Sequence, residues 1–336
     1  MIQANDLEVR VGARLLLAPV SFQVVKGDKI GVVGRNGAGK TTTMRILAGE
    51  APAPGGSVRR SGRVGYLPQD PRESDLAVPA RSRIVSARSI ESLLERMNRA
   101  TDDISRARGP ARERAMAAYD RAEASFVAAG GYGAEAEAAR IASNLGLPDR
   151  VLAQPLHELS GGQRRRVELA RILFSDADTL LLDEPTNHLD ADSITWLRDF
   201  LRSYSGGVMM ISHSTVLLDE TVTKVFHLDA NRSVLDVYSM GWRPYLTQRQ
   251  ADERRRRRER LNAERKAAQL MAQSEKLHAK ATKATAAQNM ARRAERLLAG
   301  TESERAEDRV AAIFFPEPAP CGRTPLMAEG LSKAYG

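Results

Sequence analysis

The sequence predicts an α/β fold, a parallel sheet built around a phosphate-binding loop, followed by a long α-helical extension. Three observations lead there. Gly34 to Thr42, GRNGAGKTT, fits the pattern G-x-x-x-x-G-K-[ST] and lies between an apolar run, Lys29 to Val33, and a helical stretch, Thr42 to Ala48. Two further apolar runs, Thr179 to Glu184 and Gly207 to Ile211, end in polar residues, as buried parallel strands do at the ligand-binding edge of a sheet. Residues 259–281 are rich in Ala, Lys and Arg with almost no β-branched or aromatic side chains, a composition that favours helix.

The glycine-rich loop carries the most chemistry. Gly34, Gly37 and Gly39 let the backbone turn tightly, so that N–H groups along Arg35, Asn36, Ala38 and Thr42 face phosphate oxygens at the positive end of a helix. Lys40 is placed to reach the β- and γ-phosphates, and Thr41 to offer a hydroxyl to Mg²⁺. At the end of the second apolar run, Asp183 is suited to hold the metal through water and Glu184 to polarise the attacking water. The third run ends at Ser212 and His213, where an imidazole could bond the γ-phosphate or orient that water. PQD at Pro68 to Asp70 and LSGGQ at Leu159 to Gln163 complete a set of five elements, in the order found in an ATP-binding cassette.

The run DEPTNHLD, Asp183 to Asp190, is the most specific mark of a family, and with it the sequence resembles the ABC-F ATPases, which carry two cassettes in one chain and mostly act on ribosomes. The resemblance implies ATP and Mg²⁺ as cofactors. It also implies that Gln69 senses metal and attacking water, and that Ser160, Gly161, Gly162 and Gln163 cover nucleotide bound on an opposing cassette. A single cassette then holds two half-sites. Two positions depart from the family pattern: Val11 stands where many cassettes carry an aromatic against adenine, and Ser214 follows the switch histidine where an acid is usual.

Three parts are expected. Residues 1–240 form the cassette, with a helical arm or subdomain inserted at about 76–158. Residues 241–312 form a basic helical linker, and residues 313–336 a connector with the first residues of a second, truncated cassette. The last assignment rests on the likeness of Leu331 to Gly336, LSKAYG, to Leu7 to Gly12, LEVRVG. Within the insertion, Leu93, Leu94, Met97 and Ile104 have the spacing of one helix packing on another. Gly109 and Pro110 divide that stretch in two, and Gly130 to Gly133 reads as a flexible joint.

Charge is unevenly placed. Residues 241–310 hold 18 Lys and Arg against 10 Asp and Glu, so nearly all of the chain's net +9 lies there. Leu261, Leu270 and Leu277 are too sparse for a core-facing stripe, and two helices, about Tyr245 to Lys280 and Gln288 to Ala299, are expected to project as a hairpin with a turn at Ala281 to Ala287. Such a basic hairpin is a solvated charged surface, a membrane-surface element or a grip on nucleic-acid backbone. The stretch lacks a Trp/Phe/Leu face for membrane and aromatics for base stacking. The resemblance favours ribosome and tRNA as partners, with Lys276, His278, Lys280, Lys283, Arg292 and Arg293 as candidate RNA contacts.

With 336 residues, the chain has room for two domains and a substantial core. No apolar run approaches the ~18–20 residues of a membrane-spanning helix, and no secretory pattern opens the chain, so a cytoplasmic ATPase is expected. Cys321 is the single cysteine and reads as an ordinary thiol. The resemblance implies ATP-dependent ribosome association, in translation regulation or antibiotic resistance. Hydrolysis is expected to be slow in a single-cassette chain, with a head-to-tail homodimer as the way to complete a site. The rival reading is the ATPase subunit of a membrane transporter; a DNA-repair ATPase would call for a paired-cysteine zinc motif that the sequence lacks.

Overall fold

The computed structural model describes residues 1–69, 76–278, 284–299, 329, 330 and 332. The chain divides into two units, Met1–Glu302 and Ser303–Gly336, and the expected start of a second cassette lies almost wholly outside the described residues. Among the described residues of the first unit there are nine strands: β1 (Ile2–Val11), β2 (Arg14–Val24), β3 (Lys29–Gly34), β4 (Gly55–Arg60), β5 (Val64–Leu67), β6 (Thr179–Asp183), β7 (Gly207–Ile211), β8 (Lys224–Asp229) and β9 (Val234–Tyr238). The first helices are α1 (Lys40–Ala48), α2 (Ala80–Val85), α3 (Ile90–Arg106), α4 (Pro110–Ala128), α5 (Ala134–Asn144) and α6 (Asp149–Leu152). The later ones are α7 (Gly161–Phe174), α8 (Ala191–Ser203), α9 (Thr215–Thr221), α10 (Trp242–His278) and α11 (Ala284–Ala299).

The central sheet has the order β5-β6-β7-β3-β8-β9, parallel except for the antiparallel pair β8 and β9. Its middle strands β6, β7 and β3 are apolar between their ends because both faces are covered. Leu180 and Leu182 of β6 point into one core with the helices α2, α5 and α7, while Leu181 points into the other. That second core lies beneath the antiparallel sheet β2-β1-β4 and holds Met44, Ile46 and Leu47 of α1. The loop that precedes α1 is therefore fixed on a helix packed from both sides.

The segment from α2 to α6 begins and ends at one place. Pro79 and Pro155 form an antiparallel bridge, and the amides of Leu156 and His157 bond the carbonyls of Val78 and Leu76 at 3.1 and 2.9 Å. Inside it α3 packs on α4, with Ile90, Met97 and Ala100 buried, Leu93 and Leu94 half-buried, and Gly109–Pro110 at the break. The joint expected at Gly130 to Gly133 is instead a short 3₁₀ turn at Gly131–Gly133, with the Tyr132 ring edge-on to Phe126 at 4.9 Å.

Helix α10 grows out of the cassette core. Tyr245 has no exposed surface and stacks among Trp242, Tyr238 and His227, with ring centroids 5.3, 5.0 and 6.3 Å away. Arg243 bonds Asp219 at 2.8 Å, Tyr238 donates to Asp252 at 3.3 Å, and Arg256 lies 3.7 Å from Asp236, so about four helical turns are tied down. Replacing Tyr245 by Ala is expected to lower stability by about 3–5 kcal/mol, read as a fall in thermal or denaturant midpoint.

Beyond this anchor α10 and α11 pack together through small residues: Ala267, Ser274 and Ala294 are buried, while Leu261 is 44% exposed. Leu270 and Leu297 are half-buried beside them. Helix α11 starts at Ala284, earlier than the expected Gln288, because three of the four residues Ala284 to Ala287 are alanine, the best helix former. Part of the expected turn is therefore helix, and residues 279–283 lie outside the described residues.

Candidate nucleotide site

Strand β3 runs into the glycine-rich loop and the loop into α1. Gly34 has φ 153°, and a Cβ there would fall 2.5 Å from the Leu228 carbonyl oxygen, so no larger residue fits. Gly39 is the N-cap of α1 and supplies no side-chain cap, which leaves the first amides of the helix for an anion. Lys40 Nζ donates to the carbonyls of Gly34 and Arg35 at 2.8 and 3.0 Å, holding the ammonium over the loop. Burial lowers its pKa, opposed by the charges of Glu184 and Asp183.

A cleft of about 610 Å³ opens here, lined by Asn36, Gly37, Gly39, Lys40, Thr41, Thr42, Gln69, Asp183, Glu184 and His213. Four separate stretches of the sequence thus meet at one surface. Arg35 and Ala38 belong to the same loop and are held by the bond from the Ala38 amide to the Arg35 carbonyl at 3.1 Å.

The acids stand at the carboxyl edge of β6, with Asp183 1% and Glu184 6% exposed. Glu184 has φ 51°, a left-handed conformation that turns its carboxylate off the strand and towards β7. There the His213 amide donates to Oε2 at 3.2 Å, and His213 Nε2 lies 3.3 Å from Oε1. Burial pushes the Glu184 carboxyl above the usual carboxylate range, opposed by the imidazole and amide of His213. Asp183 is likewise raised by burial, opposed by the Thr41 hydroxyl and the charges of Arg165 and Lys40. Ser214, where an acid is usual in relatives, caps α9 by accepting from the Leu217 amide at 3.3 Å.

Two atoms bear on metal binding. Asp183 Oδ2 and Glu184 Oε1 are buried without a hydrogen-bond partner, an arrangement that suits a cation and a water more than an empty site. Among the described residues no group of three His, Cys, Asp or Glu could hold an ion. A sparse protein ligand set completed by phosphate and water is the manner of Mg²⁺.

Residues 160–163 lie elsewhere. Ser160 caps α7 in a reciprocal pair with Gln163, its amide donating to Gln163 Oε1 at 2.9 Å and its hydroxyl accepting from the Gln163 amide at 3.3 Å. They do not line the cleft of Lys40. A Cβ on Gly161 would touch nothing within 4 Å, so the chain itself does not require a glycine there. Of the six candidate RNA contacts, Arg292 and Arg293 are exposed on α11 and Lys276 and His278 belong to α10, while Lys280 and Lys283 lie outside the described residues.

Three residues not foreseen join the site. Arg14 and Asn187 line the cleft, Arg14 beside Val11, its partner across the β1–β2 turn. Arg165 is 5% exposed and reaches the backbone at Gln69 and Glu184. Arg164, Arg165 and Arg166 each lie one turn ahead of a buried residue, so the sequence pattern alone does not single Arg165 out. Val11 is 57% exposed at the mouth of the cleft. Base–aromatic stacking is worth about 1–3 kcal/mol, so without it ATP and GTP are expected to bind within about threefold of each other. Paired titrations would check this, and a strong ATP preference would contradict it.

Fold and site together define a P-loop ATPase of the ATP-binding cassette class. A family profile described as ABC transporter matches residues 17–187, and a second of the same description matches residues 228–313. The chain belongs to this ABC family, and its cassette binds ATP.

A tylosin resistance ATP-binding protein from Streptomyces fradiae is 34% identical over 268 residues, 77% of this chain and 47% of the relative. The energy-dependent translational throttle protein of Haemophilus influenzae is 36% identical over 66% of this chain and 40% of its own. ATP-binding cassette sub-family F member 3 of Homo sapiens is 33% identical over 74% of this chain and 34% of its own. The chain thus spans less than half the length of these relatives. Among solved structures, an archaeal ribosome recycling factor in complex with a ribosomal stalk protein matches 74% of this chain and 41% of that one, with a TM-score of 0.52 at 22% identity. The ATP-binding subunit of an ABC transporter matches 69% of this chain and 88% of that one, with a TM-score of 0.51 at 18% identity. Both likenesses concern the fold. Among the described residues no helix is long and apolar enough to cross a membrane.

Proposed function

We propose that the chain is an ABC-F ATPase that associates with ribosomes in its ATP-loaded state, in the cytoplasm, and acts in translation regulation or in antibiotic resistance by ribosome protection. The observation that carries this reading is the 37-residue helix α10, which bears Arg254 to Arg258, is rooted in the cassette through Tyr245, and presents a basic surface with α11. Lys and Arg in such number suit phosphate backbone. The names of two relatives, a translational throttle and a tylosin resistance protein, point the same way.

At the nucleotide, Thr41, Asp183 and Gln69 would hold Mg²⁺, which when bound neutralises charge on the β- and γ-phosphates. Lys40 and the loop amides bind the phosphates. Glu184 accepts a hydrogen bond from the attacking water and aims it, and His213 steadies Glu184 from the side of solvent. Two copies arranged head to tail would set Lys40 of one against Ser160 to Gln163 of the other. Slow hydrolysis by the isolated chain follows, with a rate per chain that rises with protein concentration; a concentration-independent rate would indicate turnover by the monomer.

The test is co-sedimentation with ribosomes of a Glu184→Gln chain in ATP, beside the same chain carrying charge reversals at Lys276, Lys283, Arg292 and Arg293. Binding lost with the reversals supports the reading. No binding by either form contradicts it, and co-purification with a membrane protein would favour the transporter subunit that the family description also fits.

A further inference from the structure

We propose that Arg165 is a positioning residue for ATP hydrolysis, fixing from one guanidinium the backbone at both Gln69 and Glu184. The inference rests on the reading above, that the chain hydrolyses Mg-ATP, and adds to it a residue from outside the cleft wall.

Arg165 lies on the second turn of α7, buried at 5% exposure. Its Nη1 donates to the carbonyls of Pro68, at 3.1 Å, and of Gln69. Its Nη2 donates to those of Asp183, at 2.7 Å, and Glu184, at 3.1 Å. The selection of carbonyls is informative. Pro68 and Gln69 carbonyls flank the Gln69 Cα, and Asp183 and Glu184 carbonyls flank the Glu184 Cα. Each nitrogen therefore holds the peptide units on both sides of one functional residue, which fixes where that side chain leaves the backbone.

The geometry needs this at Glu184, whose φ of 51° is uncommon for a residue with a Cβ and persists only where surroundings hold it. A fork of fixed planar shape can span two pairs of acceptors; an ammonium, a point charge on a flexible stem, cannot. A buried cation serving only as a structural staple could be satisfied by any carbonyls within reach. Here it joins the two segments that would meet metal and water, and a slide of α7 would move both together.

The test compares the whole chain with Arg165→Lys and Arg165→Gln, reading ATP turnover, the Mg²⁺ concentration for half-maximal turnover, ADP affinity and melting temperature. Misplacement by about 1 Å costs on the order of 100-fold in rate, so kcat is expected to fall by about that factor in both variants. ADP affinity is expected to stay within about twofold, the split that separates positioning from binding, and the Mg²⁺ requirement to rise. Unchanged kcat and Mg²⁺ requirement beside an active wild type overturn the inference alone. Loss of ADP binding or of folding in both variants marks Arg165 as a structural staple and also overturns it. A wild-type chain with no turnover overturns the inference together with the reading beneath it.

Discussion

Replacing Glu184 by Gln is expected to lower steady-state phosphate release by about 10²–10⁴-fold, the usual contribution of a positioned general base, while ATP affinity changes little. Glu184 is one of two buried carboxylates at the cleft, its Oε2 held by the His213 amide and its Oε1, 3.3 Å from the His213 ring, left without a hydrogen-bond partner. The amide variant keeps the shape and the bond from His213, but it cannot accept a proton from water. Burial raises the pKa of this carboxyl, which makes it a stronger base than an exposed glutamate while ionised. A drop in affinity matching the drop in rate would instead place Glu184 in binding.

Replacing Lys40 by Ala acts on the other half of the reaction and is expected to weaken ATP binding by about 10–100-fold, since hydrogen bonds to charged groups are worth about 1.5–3 kcal/mol. The ammonium is held over the loop by the Gly34 and Arg35 carbonyls, so little ordering remains to be done when phosphate arrives. The same change leaves those two carbonyls on a half-buried loop open to water, and stability is expected to fall by about 1 kcal/mol at most. Nucleotide titration and melting temperature read the two effects separately. Equal ATP affinity in wild type and variant would mean that nucleotide sits elsewhere.

The sequence made the cassette legible because its chemistry requires fixed residue types at strand ends. Gly34 must be glycine beneath the Leu228 carbonyl, Asp183 and Glu184 are the first polar groups after an apolar strand, and Ser160 with Gln163 forms a capping pair three residues apart. The three strands read from the sequence, β3, β6 and β7, end within a residue of the expected positions, while the other six had no reading. Helix α1 begins at Lys40 where Thr42 was expected, because the loop amides pass directly into the first turn.

What stayed hidden depends on contacts between distant segments. Arg165 is one of three successive arginines, and only the packing of α7 shows which of them turns inward to Pro68, Gln69, Asp183 and Glu184. Tyr245 reads as one more residue at the start of a polar helix, yet it fills a pocket made by β8, β9 and its own helix. Along α10 the buried positions beyond the anchor are Ala267 and Ser274, whose small side chains give little hydrophobic stripe to read. At Gly130 to Gly133 the glycines suggested freedom, and the Tyr132 ring against Phe126 supplies the order. Glu184 in a left-handed conformation is likewise set by its neighbours, the Ile211 carbonyl that accepts its amide at 2.9 Å and the Arg165 fork.

The most direct measurement is of the nucleotide that stays bound. Wild-type chain and Glu184→Gln are each mixed with less than one equivalent of ATP and Mg²⁺, freed of unbound nucleotide and analysed for ATP and ADP. An ATP-hydrolysing centre at this cleft predicts ADP on the wild type and intact ATP on the variant. Equal conversion on both chains, or no nucleotide retained by either, would contradict it.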